Sequence, residues 1–261
     1  MIRVKKEQMG LVAHFFEGIE DSMVIACLQG YMGTAYVRSW KDPKAALIIS
    51  GEYSFFGGEA QSDDGNYLVE HFFDVNPGES SVAIFADQRP EWETALLGCR
   101  KNHPKPVVRF GIAQKDYDFD QERLQAYIDS LSPAYQLVPF DEDLYCQAMA
   151  EEWSQEFCQV FASAEDFLKR GFGYAVVDGG KLVSGTSTMT VYDGGAELQV
   201  ATHEAYRQKG LAIVCAAAMV KECSKRGIRP CWDAENLISK KMALKLGYEY
   251  KGDYTTIHMH V

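Results

Sequence analysis

The sequence predicts an α/β fold (α+β, with a mixed sheet) built in two parts, and three observations predict it. The first is the stretch Ala196 to Ala212, AELQVATHEAYRQKGLA. Glu197 to Thr202 places Leu198, Val200 and Thr202 on one side of a period-two pattern, the mark of a half-buried strand. A polar bend follows, then Ile213 to Met219, an almost continuous apolar run of good helix formers. The second is a strand, helix, strand order in the first half, which gives that half a sheet of its own. The third is a pair of strand patterns, Gly173 to Val177 and Lys181 to Val191, flanking the hairpin turn Asp178-Gly179-Gly180. At 261 residues the chain can hold one large domain or two ordinary ones.

Taken in order, Lys5 to Phe16 and Glu20 to Leu28 read as helices, the second stopped at Gly30. Ala45 to Ser50 and Tyr53 to Phe56 read as strands joined at Gly51-Glu52, and Gly57-Gly58 ends the second. Asn66 to Phe73 reads as a helix and Val82 to Ala86 as a short apolar strand. Pro90, with Glu91 and Glu93 behind it, opens a helix to about Lys101. Pro106 to Ala113 is the next strand. Asp116 to Asp120 is acidic and ends in an N-cap candidate for a helix from Gln121 to about Leu131, which Pro133 interrupts. The domain boundary is expected between 115 and 133, giving a first domain over 1–125 and a second over 126–261.

In the second domain Tyr135 to Val138 is a strand, and Asp141 to Met149 and Ser163 to Arg170 are helices. Ser163 with Asp166 is a capping start; acids touching a substrate amine are the functional alternative. Trp153, Phe157 and Phe161 recur at helical spacing and read as core rather than as a substrate lid. Phe55 and Phe56 suit a buried sheet face or the lining of an interdomain cleft. After the central strand and its helix come a strand over Arg229 to Trp232, a helix over Leu237 to Leu246, and last strands over Tyr248 to Tyr250 and Thr255 to Val261.

The chemistry sits where the central strand meets its helix. A helix start without crowding side chains presents unpaired N–H groups and the positive end of the dipole, a ready phosphate site. Gly210 and Ala212 allow close approach, while Arg207 and Lys209 add positive charge. Beyond that helix, Gly227 to Asn236 leads into Leu237 to Leu246 and Gly247-Tyr248. These two motifs, in this order and at this separation, resemble the GNAT (Gcn5-related) N-acetyltransferase superfamily over roughly Pro133 to Val261. The family's R/Q-x-x-G-x-G/A turn stands here as Arg207, Gly210 and Ala212. Its N-x-x-S/A…K-L-G-F/Y signature stands as Asn236, Ser239 and Lys245-Leu246-Gly247-Tyr248. Arg229-Pro-Cys-Trp-Asp-Ala, with Thr202 before the bend, is most similar to the zwittermicin-A-resistance-type branch.

The resemblance implies an acyl-CoA N-acyltransferase that moves the acetyl group of acetyl-CoA to an amine by direct attack in a ternary complex. It implies coenzyme contacts from Val200, Ala201, Thr202, Arg207, Gln208, Lys209, Gly210, Leu211, Ala212, Asn236 and Ser239. An alkyl amine near pKa ~10 must lose a proton before attack, and the developing oxyanion needs a fixed donor. A backbone N–H of Val200, Ala201 or Thr202 is the implied oxyanion donor, and Glu197 the candidate base, provided that strand parity turns it to the right face. The family's tyrosine seven residues after the Asn is Ala243 here, so Ser239 replaces it as the candidate acid at sulfur. The alternatives are a non-catalytic acyl-CoA-binding regulatory protein, which the missing tyrosine keeps open although many active members manage without it, and a protein N-terminal or lysine acetyltransferase. The first domain carries no such turn; the expectation is that it walls the acceptor pocket and is itself a diverged acetyltransferase-like fold.

A net charge of −11 argues against a nucleic-acid partner and suits a small cationic amine substrate. No apolar run reaches about eighteen residues and Met-Ile-Arg-Val-Lys-Lys-Glu lacks the core of a signal peptide, so a cytoplasmic protein without a membrane partner is expected. Seven cysteines without a C-x-x-C pair, and histidines that do not cluster with them, predict no metal and buried free thiols. The sequence leaves both the acceptor and dimerisation open.

Overall fold

Residues 1–76, 80–83, 89–114 and 118–260 are described by a computed structural model. The chain forms two units, Met1–Gly111 with Gly252–Val261, and Ile112–Lys251.

The first unit contains β1 (Ile2–Arg3), α1 (Ser22–Leu28), β2 (Thr34–Val37), β3 (Ala45–Ser50), β4 (Tyr53–Gly58), α2 (Asp63–Glu70), α3 (Phe72–Val75), β5 (Ser80–Ala83), α4 (Pro90–Gly98) and β6 (Lys105–Ala113). The second contains α5 (Gln121–Asp129), β7 (Gln136–Pro139), α6 (Glu142–Ala150), α7 (Ala164–Arg170), β8 (Gly173–Asp178), β9 (Lys181–Tyr192), β10 (Gly195–Thr202), α8 (Leu211–Arg226), β11 (Arg229–Cys231) and α9 (Leu237–Leu246). The closing strand, β12 (Glu249–Met259), carries the chain back to the first unit.

The first unit's sheet has the order β1-β2-β3-β4-β5-β12-β6, with β4 and β5 parallel and the pairs on either side of them antiparallel. Its core gathers Leu47, Phe56, Leu68, Phe72, Trp92, Leu96, Ile257 and Met259. The Trp92 indole donates to the Gly58 carbonyl at 3.1 Å, so this buried aromatic leaves no polar atom unpaired.

The second unit's sheet has the order β11-β10-β9-β8-β7, antiparallel except for β10 with β11. Helix α8 packs on one face through Leu211, Val214 and Cys215 against Val176 and Val183. Phe140, Phe157, Phe161 and Phe167 form edge-on ring pairs elsewhere in the core. Gly185 lets Phe157 lie against the sheet, since a Cβ there would meet that ring at 3.1 Å. The β8–β9 turn is Gly179-Gly180, both left-handed (φ 57° and 87°), as a tight two-residue hairpin demands.

Several expected elements take another form. Lys5 to Phe16 folds as two 3-10 turns, Lys6–Leu11 and Ala13–Phe16, instead of one α-helix. Met9, Val12 and Phe15 are buried three residues apart, which is the period of a 3-10 helix, and no side chain caps Lys5. Asp21, not Glu20, caps α1 by accepting from Met23 N at 2.8 Å. The helix expected from Asn66 starts at Asp63 because Ser62 accepts from Gly65 N at 3.0 Å. Helix α4 stops at Gly98, and Arg100–Asn102 turns as 3-10 before a left-handed His103. Residues 84–86 of the expected apolar strand and 116–117 of the acidic stretch lie outside the described residues. The two last strands are one, β12. Trp153 to Phe161 holds only the 3-10 turn Gln155–Phe157, although Phe157 and Phe161 are buried as expected. Cys99 is half-buried and Cys146 exposed, while the other five thiols are buried and all seven are free. No helix among the described residues is long and apolar enough to cross a membrane.

Candidate active site

Strand β10 pairs with β9 from end to end but with β11 only at Gly195, Ala196 and Glu197. From Leu198 onward that edge of β10 has no strand beside it among the described residues. The ladder reaches no further than Cys231, the last residue of β11. Trp232 N donates to Gln114 Oε1 at 3.3 Å, and Trp232 O accepts from Gln114 Nε2 at 3.4 Å. Arg229 N donates to Gly194 O at 2.9 Å and so faces β10; Trp232 faces the opposite way, and the Gln114 amide holds both its backbone groups there.

Which backbone groups face the resulting gap follows from alternation along an antiparallel strand. His203 N donates to Val183 O of β9 at 3.0 Å, and the Ala201 carbonyl accepts from Ser184 Oγ at 3.1 Å. Ala201 therefore turns its polar groups toward β9, while Val200 and Thr202 turn theirs toward the gap. The Arg207 Nε lies 3.3 Å from the Thr202 carbonyl, on that open side. The pairing shifts between Glu197, opposite Thr190, and Leu198, opposite Thr188, so β9 carries one extra residue, Met189. Glu197 is only 6% exposed. Burial first, then neighbouring thiols and the Glu197 carboxyl, push the Tyr248 hydroxyl above the ordinary tyrosine range.

The bend leads directly to the helix start. His203 Nδ1 accepts from Ala205 N at 3.3 Å and opens a 3-10 turn, Glu204–Tyr206. Gln208 (φ 63°) and Gly210 (φ 77°) are both left-handed, and Gly210 is the N-cap of α8 without any side-chain cap. The first N–H groups of a sixteen-residue helix are thus left to an outside acceptor. Arg207, Gln208, Lys209 and Gly210 are exposed, whereas Leu211 is buried and Ala212 half-buried, so those two can offer only backbone. Lys209 Nζ lies 3.4 Å from the Tyr135 hydroxyl and 4.6 Å from the Tyr206 ring centre, and the Tyr206 hydroxyl donates to Asp178 at 2.9 Å.

Helix α9 follows β11. Asn236 caps it by accepting from Ile238 N and Ser239 N, both at 3.0 Å. The Trp232 indole N–H donates to Ser239 Oγ at 3.1 Å. Because Cys231 pairs with Glu197, the ladder, Trp232 and this hydrogen bond link Glu197 to Ser239 within a few residues. Ala243 is fully buried, so this position has no room for a tyrosine ring without rearrangement. Among the described residues no group of three His, Cys, Asp or Glu could hold a metal ion.

An open strand edge beside an uncapped, basic helix start suits a ligand with a phosphate at one end and a carbonyl at the other. The family model described as GNAT acetyltransferase matches residues 13–257. The chain belongs to the GNAT acetyltransferase family. It is 26% identical over 256 residues to the uncharacterized N-acetyltransferase YdfB of Bacillus subtilis (strain 168), covering 96% of this chain and 95% of that one. It is 30% identical to the GCN5-related N-acetyltransferase-like protein of Streptococcus suis 89/1591, whose crystal structure superposes with a TM-score of 0.87 over 97% of this chain and 99% of that chain. A tandem GNAT protein from the clavulanic acid biosynthesis pathway shares the fold at 13% identity and TM-score 0.58, over 99% and 97% of the two chains. The chain is thus an acyl-CoA N-acyltransferase, and the family's usual acetyl donor is acetyl-CoA.

Sequence reasoning about this GNAT enzyme passed over Gln199, Glu156 and Glu151, and read Trp153 as core, whereas it is only half-buried. Gln199, on β10, donates to the Glu156 carboxylate. Trp153 packs edge-on to His203 with ring centres 5.6 Å apart, and its indole donates to Glu151 at 2.7 Å. These residues carry no short motif; only the register of β10 and the fold of 151–163 bring them together. Ser163 does cap α7, accepting from Asp166 N at 3.2 Å, and Asp166 closes on Arg170 at 2.5 Å. Those acids serve the helix.

Proposed function

We propose that the enzyme transfers the acetyl group of acetyl-CoA to a primary amine of a small, cationic acceptor by direct attack in a ternary complex. The observation that carries this reading is the gap beside β10, with the N–H groups of Val200 and Thr202 turned into it and the uncapped start of α8 at its end. On this reading Arg207 to Ala212 hold the pyrophosphate through backbone N–H groups and two positive charges. The N–H of Val200 or Thr202 meets the carbonyl oxygen as negative charge develops on it. Asn236 and Ser239 face the pantetheine and sulfur, and Glu197 takes the amine proton directly or through water.

The cationic acceptor is supported by the Glu156 carboxylate, which Gln199 holds beside β10. The first unit is proposed to be a diverged acetyltransferase-like unit without a coenzyme turn, a reading that the tandem-protein likeness supports. The test is thiol release from acetyl-CoA by the purified protein against small diamines, amino sugars, and peptides with free N-termini or lysines. Small dications are expected to be acetylated fastest. Preferential acetylation of peptides would replace the small acceptor with a protein one.

A further inference from the structure

We infer that Trp232 is a positioning residue that fixes the Ser239 hydroxyl as a hydrogen-bond donor toward the departing sulfur, and that Gln114 holds Trp232 in place. This rests on the acetyl-transfer reading of the same site. An indole N–H can only donate, whereas a serine hydroxyl both donates and accepts. With the Trp232 Nε1–H bound at 3.1 Å, Ser239 Oγ acts as acceptor there, and its own hydrogen must go elsewhere. A serine in the first turn of a helix commonly returns that hydrogen to a carbonyl one turn back. Ser239 makes no such bond among the described residues. The side chain is half-buried rather than sealed, so the hydroxyl hydrogen is left to a ligand in the gap.

Trp232 is itself fixed on three sides. It is 2% exposed, its backbone N–H and C=O are both held by the Gln114 amide, and its ring lies 5.6 Å from that of Tyr248. Turning the ring away from Ser239 would cost its packing against Tyr248, while Gln114 fixes the backbone from which it projects. The fully buried Ala243 takes the place of the family's usual acid, and a serine oriented in this way supplies a donor from one turn earlier on the same helix.

In the step served, the acceptor nitrogen forms its bond to the acetyl carbon, the carbon–sulfur bond breaks, and its electron pair leaves on sulfur. The Ser239 O–H stabilises that sulfur by a hydrogen bond. The proton lost by the amine passes through the base and ends on the thiolate, so that coenzyme A leaves as the thiol.

The experiment needs no acceptor. Coenzyme A bound to the full chain is titrated with alkali while thiolate absorbance is followed, in wild type, Ser239→Ala, Trp232→Phe and Gln114→Ala. A fixed donor at sulfur lowers the bound thiol below the free value of about 8.5. Ser239→Ala is expected to raise it by about one unit, as for a hydrogen bond to a charged group, and Trp232→Phe and Gln114→Ala to raise it part of the way. Trp232→Phe added to Ser239→Ala should then change nothing more. The same thiol pKa in wild type and all folded variants overturns the inference while leaving the coenzyme site intact. A Ser239 effect that neither Trp232→Phe nor Gln114→Ala reproduces overturns the positioning role. Should Trp232→Phe fail to fold, the Gln114→Ala result decides. If coenzyme A does not bind to wild type at all, the underlying site reading fails instead.

Discussion

Single residues in the second unit trade reactivity for burial. Cys158, Cys215 and Cys223 lie in apolar surroundings, and burial pushes each thiol up to about 12, as it does for Cys27 in the first unit. A thiol whose folded pKa lies above its unfolded value of about 9 stabilises the fold below pH 9, and that stability is lost as the pH rises from there toward 12. Two outcomes are expected. At neutral pH a thiol reagent should modify Cys146 quickly, Cys99 slowly and the remaining five only on unfolding, as peptide mapping by mass spectrometry can establish. Unfolding by denaturant should become easier above pH 9. Rapid labelling of Cys215 in folded protein would contradict the packing of α8 on its sheet.

At the scale of elements, the site is made by a strand that loses a neighbour and a helix that lacks a cap. Phe157, fully buried, sits against Gly185 and so braces β9, the partner of that strand. Phe157→Ala is expected to cost about 3–5 kcal/mol, the range for emptying a buried aromatic site, measured by chemical denaturation. A loss below about 1 kcal/mol would mean that the site collapses freely and does not brace the strand. Much of this arrangement was legible in the sequence. The period-two pattern of Leu198, Val200 and Thr202 marked β10, and Arg207, Gly210 and Ala212 marked the turn, because local spacing determines both. The gap itself was not legible, since it depends on β11 ending at Cys231 while β10 runs on to Thr202, which no local spacing records. The pairing of Gln199 with Glu156 was hidden for the same reason: no local pattern records a contact made by tertiary packing. Lys5 to Phe16 misled because burial every third residue passes for a helix when only the apolar content is weighed.

For the whole molecule, every residue assigned a role in acetyl transfer, from Gln114 to Ser239, lies in the second unit. The first unit has its own sheet and core and supplies no residue to the coenzyme turn. The account therefore stands or falls on whether one short turn, Arg207 to Ala212, receives the coenzyme. The measurement that tests this most directly is calorimetric titration of acetyl-CoA into full-length wild type, Gly210→Ala and Gly210→Asp. No atom lies within 4 Å of a Cβ built at Gly210, so either side chain fits, and the left-handed backbone costs each variant about 1–2 kcal/mol of stability. Wild type should bind acetyl-CoA; Gly210→Ala should bind more weakly; and Gly210→Asp, folded but with a carboxylate at the helix start, should show no measurable heat of binding. Wild-type affinity in folded Gly210→Asp would contradict the account.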